Sequence, residues 1–154
     1  MLPHTISMAN GKATTIKKTF SRETIISIEI RASAQKIWQL LTNAEGYLSW
    51  NSTIVSVEGK IAAGEKIKLI SKLDPKRTFR LTVKEFIQNK KLVWGDAMGN
   101  RIYTLEENGN GSINFMMDEK IGGIMFPLFS KYIPPFDKSF EQFAGDLKKA
   151  AENN

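Results

Sequence analysis

Asp96, Arg101 and Tyr103 crowd one short stretch of the chain and are the residues best suited by type to acid–base chemistry. A carboxylate or phenol held beside a positive group is what an acid–base reaction on an aromatic or polyketide substrate requires. The turn at Met98-Gly99-Asn100 brings the three around one hairpin. The competing reading is a solvated hairpin end, where charges form surface pairs of small energetic weight. Ser71, Glu119 and Tyr132 are further polar groups within reach of an interior, whereas Asp118 and Glu119 read as strand-end charges more readily than as a catalytic pair.

Other chemistry is restricted by composition. The chain has no cysteine, which removes disulfides, thiolate metal sites and cysteine nucleophiles, and its one histidine, His4, lies in a polar N-terminal stretch. A histidine base or a multi-histidine metal site is therefore not expected, nor is a tightly bound cofactor. The net charge is +6, but lysine and arginine are spread along the sequence without a recognition helix or an RNP-like strand. Nucleic acid is accordingly not an expected partner. No apolar run approaches the roughly twenty residues that span a bilayer, so no transmembrane segment is expected, and the cytoplasm is the expected location.

The apolar residues show what must position these groups. Phe126, Phe129, Ile133, Phe136, Phe140, Phe143 and Leu147 recur at alternating steps of three and four, the spacing of one helical face. Lysines and Glu141 fall between them, so the aromatic face needs a broad apolar partner. Pro134-Pro135 interrupts the seam, since proline removes a backbone donor and clashes inside a helix. A restart near Pro135 is expected after a flexible Gly122-Gly123. On one reading residues 124 to 133 form a lid and 136 to 152 a fixed helix; on the other the break is a kink that follows a curved sheet.

The partner surface comes from strands. Residues 1 to 22 read as a loose arm. Ile26, Ile28 and Ile30 then alternate with polar residues as a half-buried strand, and Ser33 stands as N-cap to a short helix through Leu41. Gly46 marks a second short turn leading to Trp50. Strands joined by tight turns follow, ending at the hairpin signal Asn108-Gly109-Asn110-Gly111. Short turns imply antiparallel neighbours, and a sheet with one apolar face requires a cover, which the aromatic helix supplies. Strand alternation points Leu69, Ser71, Leu81, Val83, Trp94, Tyr103, Leu105, Phe115 and Met117 inward.

This order of elements, with Ser33 to Thr42 feeding Trp50-Asn51, Val57-Glu58-Gly59 with Gly64 downstream, Leu92-Val93-Trp94 and the close Leu147 to Glu152, resembles the START/Bet v 1-like superfamily over residues 24 to 152. Within it the chain is similar to the polyketide cyclase/dehydrase-like proteins. The resemblance implies an α+β helix-grip fold in one domain from residue 23 to 154: a curved antiparallel sheet of about seven strands around a long C-terminal helix, with two short helices after the first strand. It implies an internal cavity for a hydrophobic small molecule such as a lipid, polyketide or aromatic metabolite. The alternatives within the superfamily are a cyclase or dehydratase, and a protein-interaction module like the Hsp90 activators. The candidate ligand contacts are Leu69, Ser71, Leu81, Trp94, Tyr103, Phe115 and Met117 from the sheet, with Phe126, Phe129, Ile133, Phe136 and Phe140 from the C-terminal seam.

Overall fold

The computed structural model describes residues 10–153; His4 and the first half of the expected arm lie outside them. Eight strands form one antiparallel sheet: β1 (Thr14–Lys17), β2 (Ser21–Ile30), β3 (Ile54–Glu58), β4 (Lys66–Ser71), β5 (Phe79–Ile87), β6 (Lys91–Gly95), β7 (Gly99–Glu107) and β8 (Ile113–Gly122). Their spatial order is β1-β2-β8-β7-β6-β5-β4-β3. After β2 the chain passes through α1 (Ala34–Thr42), a 3-10 turn (Ala44–Gly46) and α2 (Tyr47–Trp50) to reach β3 at the far edge. The register shifts at Ile54/Ser56 and at Val83/Glu85. Such bulges bend a strand and sharpen its twist, which curves the sheet.

The grip is the helix α4 (Asp137–Glu152), whose Phe140, Phe143, Ala144, Leu147 and Ala151 are buried. Burying the two phenylalanines and Leu147 is worth roughly 5 to 9 kcal/mol in apolar transfer. Polar contacts fix the helix to β1 and β2. Thr15 donates its hydroxyl to Asp137 Oδ1 at 2.6 Å, the Ala13 N–H donates to Glu141 Oε2 at 3.0 Å, and Lys148 Nζ donates to the Glu29 carbonyl at 2.8 Å. In α1 the expected N-cap is present, with Ser33 Oγ accepting the Lys36 N–H at 3.1 Å. No helix among the described residues is long and apolar enough to cross a membrane.

The expected helix-grip architecture is present, with two details refined. The sheet has eight strands rather than about seven, and the short helices follow the second strand. The additional strand is β1, which occupies part of the expected loose arm; Thr14–Lys17 carries one large apolar residue, Ile16, and that residue is exposed, so it left no burial pattern to read. The aromatic seam is divided at Pro134-Pro135, where the interruption was expected. Helix α4 begins only at Asp137, after Pro134-Pro135, and the preceding residues form a separate turn of helix, α3 (Phe126–Phe129), followed by a 3-10 turn (Ser130–Tyr132).

Candidate functional site

The concave face of the sheet does not fill to its end. Strands β4 to β8, the segment Tyr132 to Phe136 and the start of α4 surround a cavity of about 180 Å³ that opens to solvent. Its walls are largely apolar, including Leu69, Phe79, Leu81, Trp94, Ile133 and Phe136. Gly95 and Gly99 shape one corner. A Cβ on Gly95 would meet the Gly99 carbonyl oxygen and the Asn100 side chain, and one on Gly99 would meet the Lys120 carbonyl oxygen. Only glycine permits this close backbone approach.

An ion pair lines the inner side. Arg101 on β7 and Glu119 on β8 are cross-strand partners, and Arg101 donates its Nε–H to Glu119 Oε1 at 2.6 Å, with both side chains 19% exposed. The guanidinium lies 5.0 Å from the Phe140 ring centroid and 5.9 Å from that of Phe143, cation–π contacts that hold its plane. Burial works against its charge, but the Glu119 carboxylate and the Tyr103 oxygen outweigh that and raise its pKa. Guanidinium carries five N–H donors; here the Nε–H has the one hydrogen-bond acceptor found among the described residues. Arg101 thus brings N–H donors to a largely apolar wall.

Of the expected ligand contacts, Leu69, Ser71, Leu81, Trp94, Ile133 and Phe136 line this cavity. The other six do not. Tyr103, Phe115, Met117 and Phe140 are almost completely buried in the core, where Tyr103 packs against Trp94 at 5.2 Å, Phe143 at 5.7 Å and Phe115 at 6.2 Å between ring centroids. Alternation placed Tyr103, Phe115 and Met117 on the inner face and helical spacing placed Phe140 against it, but that face is filled by these side chains and is open only toward one end. Phe126 and Phe129 pack on each other edge to face at 5.8 Å, outside the cavity.

Among the described residues no hydrogen bond joins Asp96, Arg101 and Tyr103 to one another. Asp96 and Arg101 line the cavity, but Asp96 Oδ1 accepts the N–H groups of Met98 at 2.8 Å and Gly99 at 3.2 Å, a turn-stabilising role. The Tyr103 hydroxyl sits close to the guanidinium without a hydrogen bond of good geometry, and burial pushes its pKa up to about 12 against the opposing pull of Arg101. It is a neutral phenol at physiological pH. Asp118 and Glu119 occupy adjacent positions and point to opposite faces. Burial, with the neighbouring Glu23, pushes Asp118 up to about 7. No group of three or more metal-ligating side chains is assembled among the described residues.

Sequence reasoning missed Arg22, a buried residue of β2. Its Nη1 donates to the Ile133 carbonyl at 3.1 Å and its Nη2 to the Pro134 carbonyl at 2.7 Å, and its guanidinium lies 4.9 Å from the centroid of the Phe136 ring. It therefore fixes the segment that forms the cavity wall opposite the sheet. Burial lowers its pKa, with Asp137 and Glu119 opposing. Arg22 fell inside the expected arm, and nothing local signals its long-range partners. The importance of Glu119 likewise depends on strand register, which sets it opposite Arg101.

No family model and no curated protein matches the chain. Solved structures do. A conserved protein of unknown function from Enterococcus faecalis superposes with a TM-score of 0.68 at 16% identity, over 98% of this chain and 83% of its own. A START superfamily protein from Mycobacterium smegmatis gives 0.61 at 17% identity, over 84% of this chain and 97% of its own. This chain has the START fold. DynU16, a protein of the dynemicin biosynthetic locus, gives 0.63 at 12% identity, over 85% of this chain and 47% of its own. At these identities the likeness establishes the START architecture, with a curved sheet closed on a C-terminal helix. Function rests on the residues within it.

Proposed function

We propose that this chain is a cytoplasmic binding protein for a hydrophobic small molecule, held in the cavity between the open end of the sheet and the segment entering α4. The observation that carries the proposal is a largely apolar cavity whose lining includes the Arg101 guanidinium, held by Glu119 through its Nε–H alone. A ligand enters with its apolar body against Leu69, Leu81, Trp94 and Phe136 and sets an oxygen acceptor against Arg101. Glu119 already balances the Arg101 charge, so a neutral carbonyl suits the position better than a carboxylate. The volume, about 180 Å³, is of the order of the ~150 Å³ cavities that take up one benzene ring. The ligand therefore places one ring or a short chain inside, and any longer part leaves through the mouth. The lipid, polyketide and aromatic classes all contain such molecules.

Three compounds of similar size test this: propylbenzene, propiophenone and 3-phenylpropionate, titrated while following tryptophan fluorescence. A ligand of this size should bind with a dissociation constant of about 100 μM, near 5.5 kcal/mol. One hydrogen bond to a charged donor should make the ketone about tenfold tighter than the hydrocarbon. Arg101→Met should abolish that difference while retaining propylbenzene binding. Lack of saturable binding by all three would overturn the proposal.

A further inference from the structure

The segment between β8 and the proline pair, whose last residues line the cavity, carries an unusual share of the exposed large apolar side chains. Ile124 is 84% exposed, Tyr132 76%, Leu128 65% and Met125 56%, all within the eleven residues between β8 and the proline pair. Phe20, 54% exposed, is brought alongside by the hydrogen bond from the Gly123 N–H to the Phe20 carbonyl at 2.9 Å. Leu73, 41% exposed, stands in the cavity lining with Tyr132. Isolated exposed apolar residues are ordinary, but a group gathered on one short segment that runs into the wall of a cavity marks an interaction surface.

The charge around this group indicates what it meets. Residues 120 to 136 contain Lys120 and Lys131 and no carboxylate, and Lys17 and Lys18 precede Phe20 in the β1–β2 turn. Arg77 lines the opening near Leu73, with Asp74 as its acidic neighbour. We infer that this face docks on an anionic lipid surface, with Ile124, Leu128, Phe20 and Tyr132 entering the interfacial region and the lysines beside the headgroups. Short apolar projections flanked by lysine suit an interface that deforms around them. A second copy of the chain fits less well, because each brings a net charge of +6 and the same basic rim. Tyr132 belongs both to this surface and to the cavity lining, so docking sets the cavity beside the membrane, where an apolar ligand has a short path to it. The docking itself requires no ligand and stands apart from the binding reading above.

The full chain is sedimented with vesicles of phosphatidylcholine alone and with vesicles containing about 30% phosphatidylserine. Partition onto the anionic vesicles should be at least about tenfold stronger and should fall by about tenfold when salt is raised to about 0.5 M. The double variant Ile124→Ser/Leu128→Ser should lose binding with unchanged thermal melting, since both side chains project into solvent. Lys17→Ala/Lys18→Ala should weaken binding to anionic vesicles and reduce, without abolishing, its dependence on salt, since Lys120 and Lys131 remain. Failure of the wild-type chain to bind anionic vesicles overturns the inference, as does equal binding by the serine variant. A concentration-dependent dimer that the serine variant lacks would assign the surface to a second copy instead.

Discussion

Replacing Glu119 by leucine separates the two roles of Arg101, in stability and in recognition. The pair makes one short charge-assisted bond, Arg101 Nε to Glu119 Oε1 at 2.6 Å, and each side chain is 19% exposed. An exposed pair contributes about 0 to 1 kcal/mol, whereas removing one partner of a fully buried pair costs about 3 to 5 kcal/mol. With both side chains mostly covered and one edge open to the cavity, Glu119→Leu should cost about 2 to 3 kcal/mol. For a chain of this size that corresponds to roughly 5 to 10 °C in melting temperature. The double variant Arg101→Met/Glu119→Leu removes the stranded charge as well and should recover most of the loss, because an apolar replacement of comparable volume suits the surrounding Phe140 and Trp94. Urea unfolding of wild type, both single variants and the double variant measures the coupling directly. A Glu119→Leu stability within about 0.5 kcal/mol of wild type, or a double variant no better than the worse single one, would refute the reasoning.

Further outcomes follow from other parts of the structure. Phe140→Ala and Phe143→Ala, each 1% exposed, should each lower unfolding stability by about 3 to 5 kcal/mol, whereas Leu128→Ser should stay within about 0.5 kcal/mol. Leu81→Trp should fill the cavity and reduce propylbenzene affinity by about tenfold or more without unfolding the chain, as titration and circular dichroism together can verify. Asp118 is raised in the folded state to about 7 by burial and by Glu23, from an ordinary 3.8. The native state therefore binds more protons than the unfolded state between those values, so this group's favourable contribution is present at low pH and is lost as pH rises toward 7. Denaturant midpoints of wild type and Asp118→Asn across pH 4 to 8 should show the wild-type decline and a flatter profile for the variant. Arg22→Met should loosen the segment from Ile133 to Phe136 and speed its amide exchange, since it removes the donors to the Ile133 and Pro134 carbonyls.

The fold was legible wherever burial imposed a period. Ile26, Ile28 and Ile30, the alternating residues of β4 to β8 and the Phe140-Phe143-Leu147 stripe all announce their faces. β1 was not legible because its hold on the protein is polar: Thr15 bonds Thr24 and Asp137. The site was legible by half for a related reason. Alternation says that Tyr103 and Phe115 point inward and that Leu69 and Trp94 do too, but it cannot tell which inward residues meet packed rings and which meet empty space. That distinction arises where α4 starts, and the proline pair fixes the start. Arg22 and the Arg101–Glu119 pairing depend on contacts and register distant in sequence, which no local pattern encodes.

The central claim is that the space bounded by Leu69, Leu81, Trp94 and Phe136 receives an apolar molecule and presents Arg101 to its oxygen. A two-dimensional amide and methyl NMR titration of the full chain with propiophenone tests it most directly. Saturable shifts should centre on Leu69, Leu81, Trp94, Ile133 and Phe136, extend to the Arg101 side-chain N–H signals, and leave the Ile37–Leu41 face of α1 unchanged. Shifts confined to the outer face of the sheet, or no saturable shift at all, would contradict the account.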